Sequence, residues 1–148
     1  MTGLERLWRE EWGRLLSALI RAFGDFDLAE DALQEAFAAA VAVWERAPPR
    51  NPGAWLYGTA RHKALDRLRA RRRLVGGEAG EAALEAAGPD AEEEPGEEGA
   101  VPDERLRLIF TCCHPALAPE AQVALTLRTL CGLTTEEIAR AFLVPVPA

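Results

Sequence analysis

Apolar residues recur along this chain at spacings of three and four, which is the period of an amphipathic α-helix. No stretch shows the strict alternation that is typical of a β-strand. The first apolar stripe comprises Leu4, Leu7, Trp8, Trp12, Leu15, Leu16, Leu19, Ile20 and Phe23. Gly24 follows it and is expected to end the first helix, because glycine adopts the left-handed conformation without strain. The pattern therefore predicts an all-α protein.

A second apolar stripe predicts a helix that starts at Asp27, with the Asp27 carboxylate as its cap and Glu30 in the capping-box position. Its apolar positions are Leu28, Leu33, Phe37, Ala40, Val41 and Trp44. Its other side carries the acidic face, defined as Asp27, Glu30, Asp31, Gln34 and Glu35. No Lys or Arg interleaves with these residues, whereas exposed helices usually mix both signs. The acidic face is either a solvated surface or a docking surface for a basic partner helix.

A third helix is predicted over Pro52–Arg73, with Asn51 as its cap and Pro52 in its first turn. Its core positions are Leu56, Tyr57, Ala60, Ala64, Leu65 and Leu68. The basic stripe on its other side is defined as Thr59, His62, Lys63, Arg67, Arg69, Arg71, Arg72 and Arg73. Residues 59–75 contain seven Lys or Arg and one acidic residue, which indicates phosphate binding. An arginine cluster also suits the negative end of a helix dipole, so both interpretations remain.

Trp55 and His62 lie among these polar positions of the third helix. The Trp55 indole either stacks on an unpaired base or packs against the first helix. His62 is interpreted as a polar contact or a surface residue, because it has no partner at the spacing of metal ligands.

Two shorter helices are predicted near the C-terminus. Pro119 opens the first, with Val123, Leu127 and Leu130 facing inward and Gly132 at its end, and Thr134 caps the second with Glu137 in the capping-box position. Cys112, Cys113 and His114 do not have the spacing of a zinc site, so we predict that they pack in the core, as does Cys131. No metal, cofactor or nucleophile–base pair is indicated, and the chain is interpreted as not being an enzyme.

The charge is distributed unevenly and divides the chain into domains. The net charge is −7, but residues 76–104 contain 11 acidic residues and no Lys or Arg. This Gly-, Pro- and Glu-rich stretch has few large apolar residues, so it is predicted to be a mobile linker. We predict a helical module over 1–75, an acidic linker over 76–102 and a second module over 103–148. No signal peptide or membrane-spanning stretch is evident, so a cytoplasmic protein is expected.

Two sequence runs resemble domain two of bacterial sigma factors of the extracytoplasmic-function group. They are DLAEDALQEAF over 27–37 and AWLYGTARHKALDRLRARRR over 54–73. The resemblance implies that the first run binds the β′ clamp helices of core RNA polymerase, and that the loop and helix after it recognise and melt the promoter's minus-ten element. By position, Asp27, Asp31, Gln34 and Glu35 would face the clamp, whereas Arg50, Asn51, Trp55, His62, Arg67 and Arg69 would lie near DNA. His62 stands where the family usually has Asn.

Residues 103–145 resemble domain four of one subgroup of the same family, and the run TTEEIARAF matches the first helix of its helix-turn-helix. The recognition helix would follow Pro145, so we expect a domain truncated before that helix and impaired minus-thirty-five recognition. Ile138, Phe142 and Leu143 would then lack cover. Such a small module is expected to be mobile, to pack on the N-terminal module, or to self-associate.

The sequence therefore predicts a sigma-like transcription initiation protein. Its expected partners are core RNA polymerase and promoter DNA, with an anti-sigma factor as a further candidate, and it needs no cofactor. The alternative is an interaction module that binds polymerase or an anti-sigma factor without supporting initiation.

Overall fold

The computed structural model describes residues 3–75 and 101–146, and within these ranges the chain forms six α-helices and no β-strand. The helices are α1 Gly3–Phe23, α2 Phe26–Val43, α3 Pro52–Val75, α4 Arg105–Cys112, α5 Pro119–Thr129 and α6 Thr135–Ala141. The prediction of an all-α protein is confirmed. None of these helices is long and apolar enough to cross a membrane. Nearly all of the predicted acidic linker lies outside the described residues.

The chain divides into two compact units that share α1. One unit comprises Met1–Ser17 together with Asp103–Ala148, and the other comprises Ala18–Pro102. The first unit is called the α4–α6 unit below, and the second the α2–α3 unit. The domain limits at residues 75 and 102 stay a prediction. They assign the first 17 residues to the N-terminal module, whereas the structure groups those residues with the C-terminal helices.

The α2–α3 unit has a core of leucine, alanine and phenylalanine side chains, and α2 packs against α3. The buried side chains include Leu28, Leu33 and Phe37 of α2 and Leu56, Ala60, Ala64, Leu65 and Leu68 of α3. Gly24 follows the last residue of α1 as predicted: its φ of 66° is left-handed, and its amide donates to the carbonyl of Ile20 at 2.7 Å. These apolar positions follow the predicted helical period, so the pattern was sufficient to find this core.

The start of α2 differs from the prediction. Asp25, not Asp27, is the cap: its backbone is extended and its Oδ1 accepts a hydrogen bond from the Leu28 amide at 3.0 Å. Gly24 turns the chain immediately before it, so the first aspartate after the turn takes the cap position. Asp27 consequently lies in the first turn of α2, and Glu30 is too far along to form a capping box. Val41 is also exposed, because it falls outside the buried arc of α2.

The α4–α6 unit is built around the N-terminal half of α1. The Trp8 indole N–H donates to the carbonyl of Gly132 at 2.9 Å, and Arg9 forms an ion pair with Glu137. Gly13 allows a close backbone approach, since a Cβ there would lie 2.7 Å from the carbonyl oxygen of Leu130. The C-terminal helices therefore pack on residues near the N-terminus, which is one of the three expected arrangements.

The helix limits within the α4–α6 unit follow the predicted signals. Pro119 opens α5, and Gly132 lies beyond its end with a left-handed φ of 67°. The Thr134 hydroxyl and the Glu137 carboxylate form the predicted capping box at the start of α6.

Several predicted core positions of this unit are exposed instead. Val123, Cys113, His114 and Cys131 lie at the surface, because three short helices bury too little area to enclose every apolar side chain. Cys112 is buried as predicted, and its sulfur lies 3.1 Å from the Thr129 hydroxyl oxygen. Burial raises the pKa of the Cys112 thiol. His114 has a structural role, since its Nδ1 accepts from the amide of Ala116 at 3.1 Å.

Candidate functional site

The acidic face lies along the accessible side of α2. Asp27, Asp31 and Gln34 are exposed, whereas Glu30 and Glu35 are half-buried. The five residues thus share a surface, as the helical period predicts, and α2 itself contributes no cation to it. A cation does reach this surface from another helix.

Arg67 of α3 binds two carboxylates of the acidic face. Its guanidinium donates to Asp31 Oδ2 at 3.0 Å and also forms an ion pair with Glu35. The pKa of Arg67 is raised, mainly by its hydrogen bond with Glu35. The negative charge of Glu35 and the contact with Asp31 raise it further. Arg67 therefore belongs by contact to the acidic face and by sequence to the basic stripe.

The neighbouring arginines of the basic stripe also face acids, but at longer distances. Arg71 lies 3.6 Å from Asp25 at the start of α2, and Arg69 lies 3.7 Å from Asp66 within α3. Both pairs are exposed to solvent, where such contacts contribute little to stability. Arg72 and Arg73 are exposed, and Thr59, His62 and Lys63 are half-buried. The cations of the predicted stripe are thus accessible but partly neutralised by neighbouring acids.

The ion pairs between α2 and α3 were not predicted from the sequence. Arg67 pairs with Asp31 and Glu35, and one turn further along α3 Arg71 faces Asp25, so the partners run in opposite directions along the two helices. The sequence does contain a signal for these pairs, namely acids on α2 and arginines one turn apart on α3. That signal can be used only if the two helices are known to pack antiparallel. Without the pairing direction, the same residues are equally compatible with two separate surfaces.

The loop before α3 holds Asn51 and Arg50. The Asn51 side chain caps α3 as predicted, because its Oδ1 accepts from the Ala54 amide at 3.1 Å. Arg50 is exposed beside it. The loop therefore presents a charged residue next to a fixed helix start.

Trp55 packs against Trp44 at the C-terminal end of α2. The ring centroids are 5.3 Å apart and the planes meet at 71°, an edge-to-face arrangement that aromatic pairs favour. The sequence predicts packing against the first helix as one of two roles for Trp55, and the partner that the structure gives is Trp44 at the end of α2. Trp55 is half-buried, so part of its ring stays accessible. The Trp44 Nε1 is buried and finds no hydrogen-bond partner among the residues that the structure describes.

Within residues 3–75 and 101–146, no group of three or more His, Cys, Asp or Glu side chains is arranged to hold a metal ion. The site therefore consists of ion pairs, an arginine-rich helix and two tryptophans, which suits binding to charged macromolecules.

Residues 7–74 match the family model for Sigma-70 region 2. The matched range contains most of α1, all of α2 and nearly all of α3, so it includes both charged surfaces. This part of the chain is therefore similar to region 2 of the sigma-70 family, and its all-helical fold agrees with that similarity.

A curated protein from Rhizobium meliloti (strain 1021), described as uncharacterized, is 40% identical to this chain over 131 residues. The alignment covers 87% of this chain and 31% of that relative. The chain thus spans about a third of the relative's length. No solved structure matches the chain.

Proposed function

We propose that this chain acts as a sigma factor of the extracytoplasmic-function group, which binds core RNA polymerase and helps to melt the promoter minus-ten element. The acidic face would bind the β′ clamp helices. The basic stripe, together with Arg50, Asn51 and Trp55, would contact promoter DNA. One observation carries the proposal: the segment that matches sigma-70 region 2 holds an acidic helix and an arginine-rich helix packed side by side.

Each surface has the chemistry that its partner requires. Exposed carboxylates at Asp27 and Asp31 can accept hydrogen bonds from arginines of a partner helix. The guanidinium groups of α3 bind phosphates and supply the salt-dependent part of DNA affinity. A half-buried indole such as Trp55 can stack on a base that has left the duplex. Strand opening that depends on phosphate binding and base stacking needs no cofactor.

Polymerase binding by the acidic face is tested with the double variant D27K/Q34K. Asp27 and Gln34 are exposed on the acidic face, and the ion pairs of Arg67 are with Asp31 and Glu35, so the variant keeps both partners of those pairs. We expect the variant to bind purified core polymerase at least about tenfold more weakly, because two cations would face the partner's cations. The measurement is a fluorescence-anisotropy titration of labelled full-length chain.

The control is E45K, a charge reversal at an exposed position beyond the end of α2, which changes the net charge by +2 against +3 for the double variant. Its polymerase affinity should equal that of the wild type. Circular dichroism confirms that each variant keeps its helical content. Equal affinities for all three proteins would remove the docking assignment.

Transcription from promoter DNA separates the proposal from its alternative. A chain that binds polymerase and supports run-off transcription is an initiation factor. A chain that binds polymerase with the same sensitivity to D27K/Q34K but yields no transcript is an interaction module. The expectation of impaired minus-thirty-five recognition stays a prediction, and it is measured in the same assay with promoters that carry or lack that element.

A further inference from the structure

Arg67 is the point at which the two proposed surfaces meet. By sequence it is one of the cations of the basic stripe, yet it is bound to Asp31 and Glu35 of the acidic face. A guanidinium has five N–H donors but a single positive charge, and two carboxylates already share that charge here, so Arg67 attracts a DNA phosphate less strongly than an unpaired arginine does. Arg67 can contribute its full charge to the basic stripe only when it leaves Asp31 and Glu35.

We propose that Arg67 is a competitor for the acidic face: a cationic partner helix displaces it from Asp31 and Glu35, and the released guanidinium then binds DNA phosphate. Polymerase binding thereby strengthens DNA binding through one exchanged ion pair. The inference rests on the proposed function and adds to it the residue that couples the two binding events.

Because the ion pair is exposed to solvent, breaking it costs little free energy. The Arg67 side chain is 36% exposed, and those of Asp31 and Glu35 are 54% and 41% exposed. Pairs at this exposure are weak because water screens them and solvates each partner when they separate. A buried pair would instead leave uncompensated charges when broken. The exposed pair can therefore open without unfolding the α2–α3 unit.

The geometry also explains why a partner displaces Arg67 instead of joining it. Arg67 occupies the space between Asp31 and Glu35, which lie one helical turn apart. An incoming arginine on either carboxylate would lie close to the Arg67 guanidinium, and like charges at such a distance repel. Release places Arg67 among Lys63, Arg71 and other cations of α3, where a phosphate group is the favourable counter-charge.

A fixed structural role for Arg67 makes the opposite prediction. If the ion pair were needed to hold α2 against α3, its loss would weaken every binding event along with the fold. The two roles are therefore separated by the direction in which polymerase affinity changes when the cation is removed.

The experiment measures core-polymerase affinity for the full-length wild type, R67Q and R67K. Removing the competitor should make R67Q bind about twofold to fivefold more tightly than the wild type, the range expected for exposed ion pairs. Polymerase should then raise the affinity of R67Q for minus-ten DNA by a correspondingly smaller factor, because coupling is reciprocal. R67K keeps the cation and should resemble the wild type in both measurements.

R69Q is the matched control, since Arg69 lies on the same helix but its acidic neighbour is Asp66 within α3. It should reduce DNA binding without strengthening polymerase binding. Unchanged or weaker polymerase binding by R67Q overturns the exchange, as does a loss of its helical content, which would show a structural tether. Wild-type chain that does not bind polymerase at all overturns the proposed function itself, and the exchange with it.

Discussion

Glu137 performs two local tasks at the start of α6. Its carboxylate accepts from the Thr134 amide at 2.9 Å, which completes the capping box, and it also binds Arg9 of α1. The Thr134 amide and then the Arg9 guanidinium hold the pKa of Glu137 below its ordinary value. One side chain thus joins the cap of α6 to the contact between the C-terminal helices and α1.

The lowered pKa of Glu137 predicts an acid-sensitive contribution to stability. A group whose pKa is depressed by folding stabilises the folded chain above its ordinary pKa near 4.5, and this contribution is lost as pH falls through the lower value. E137Q should therefore unfold at a lower temperature than the wild type at pH 7, and the difference should shrink toward pH 3. The measurement is thermal unfolding followed by circular dichroism at both pH values.

E136Q is the control for this prediction, because Glu136 occupies the same turn of α6 but takes no part in the capping box. The unfolding temperature of E136Q should differ less from that of the wild type, and this difference should change less between pH 7 and pH 3. The role assigned to the Glu137 charge would be contradicted if the unfolding temperatures of E137Q and the wild type differed as much at pH 3 as at pH 7.

At the scale of elements, Gly13 sets how closely α1 and the end of α5 approach. Glycine costs about 1 kcal/mol in a helix interior relative to alanine, so its presence in α1 needs a compensating reason. The carbonyl oxygen of Leu130 supplies it, since a Cβ would lie 2.7 Å away and the obstacle is backbone. A backbone oxygen cannot move aside as the end of a flexible side chain can.

The variant G13A is therefore expected to loosen the α4–α6 unit despite its better helix propensity. An overpacked contact costs typically 1–3 kcal/mol, against a gain of about 1 kcal/mol, so we expect a net loss of about 1 kcal/mol. Hydrogen exchange of the Trp8 indole N–H, which donates to Gly132, reports the loosening directly. G3A is the control, because a Cβ at Gly3 meets nothing within 4 Å and should leave the exchange rate unchanged.

Helix limits could be predicted from the sequence where the signal for them is local. The end of α1 at Gly24, the Asn51 cap of α3 and the Thr134 capping box are each encoded within a few residues, and all three were predicted. The cap of α2 was placed wrongly because Asp25 and Asp27 are chemically equivalent candidates. The chain conformation at the preceding glycine, not the residue type, decides between them.

The candidate site was predictable as a set of residues but not as a set of contacts. Helical periodicity places the members of the acidic face together on α2, because that grouping depends on one helix alone. The ion pairs of Arg67 depend on how two helices pack, as does the position of Trp55 against Trp44. Sequence spacing within either helix carries no information about those contacts.

For the whole molecule, the uneven charge distribution sets the response to salt. The chain has a net charge of −7, and residues 76–104 contain 11 of its 24 acidic residues. Negative charge on the same chain lowers the attraction of the basic stripe for DNA at ranges up to the Debye length. This effect weakens as salt is added, since the Debye length falls from about 10 Å at 0.1 M to about 3 Å at 1 M.

Neutralising part of this segment should therefore strengthen DNA binding at low salt. Changing Glu92, Glu93, Glu94, Glu97 and Glu98 to glutamine takes the net charge from −7 to −2. We expect about a threefold or larger gain in affinity for minus-ten single-stranded DNA at 0.05 M salt, shrinking toward none near 0.5 M. Anisotropy titrations of labelled DNA with the full-length variant and the wild type provide the measurement. A gain that does not depend on salt would contradict a long-range electrostatic cause.

The contact of Arg67 with Asp31 and Glu35 also has a consequence for how this sequence diverges over time. A change of sign at position 67 would leave two carboxylates without their cation, and a change at position 31 or 35 would leave an arginine facing a new neighbour. Positions 31, 35 and 67 are therefore expected to covary among descendants of this chain. A lineage that alters α2 at position 31 or 35 inherits an altered constraint on α3, although the two helices carry surfaces that are proposed to bind different molecules.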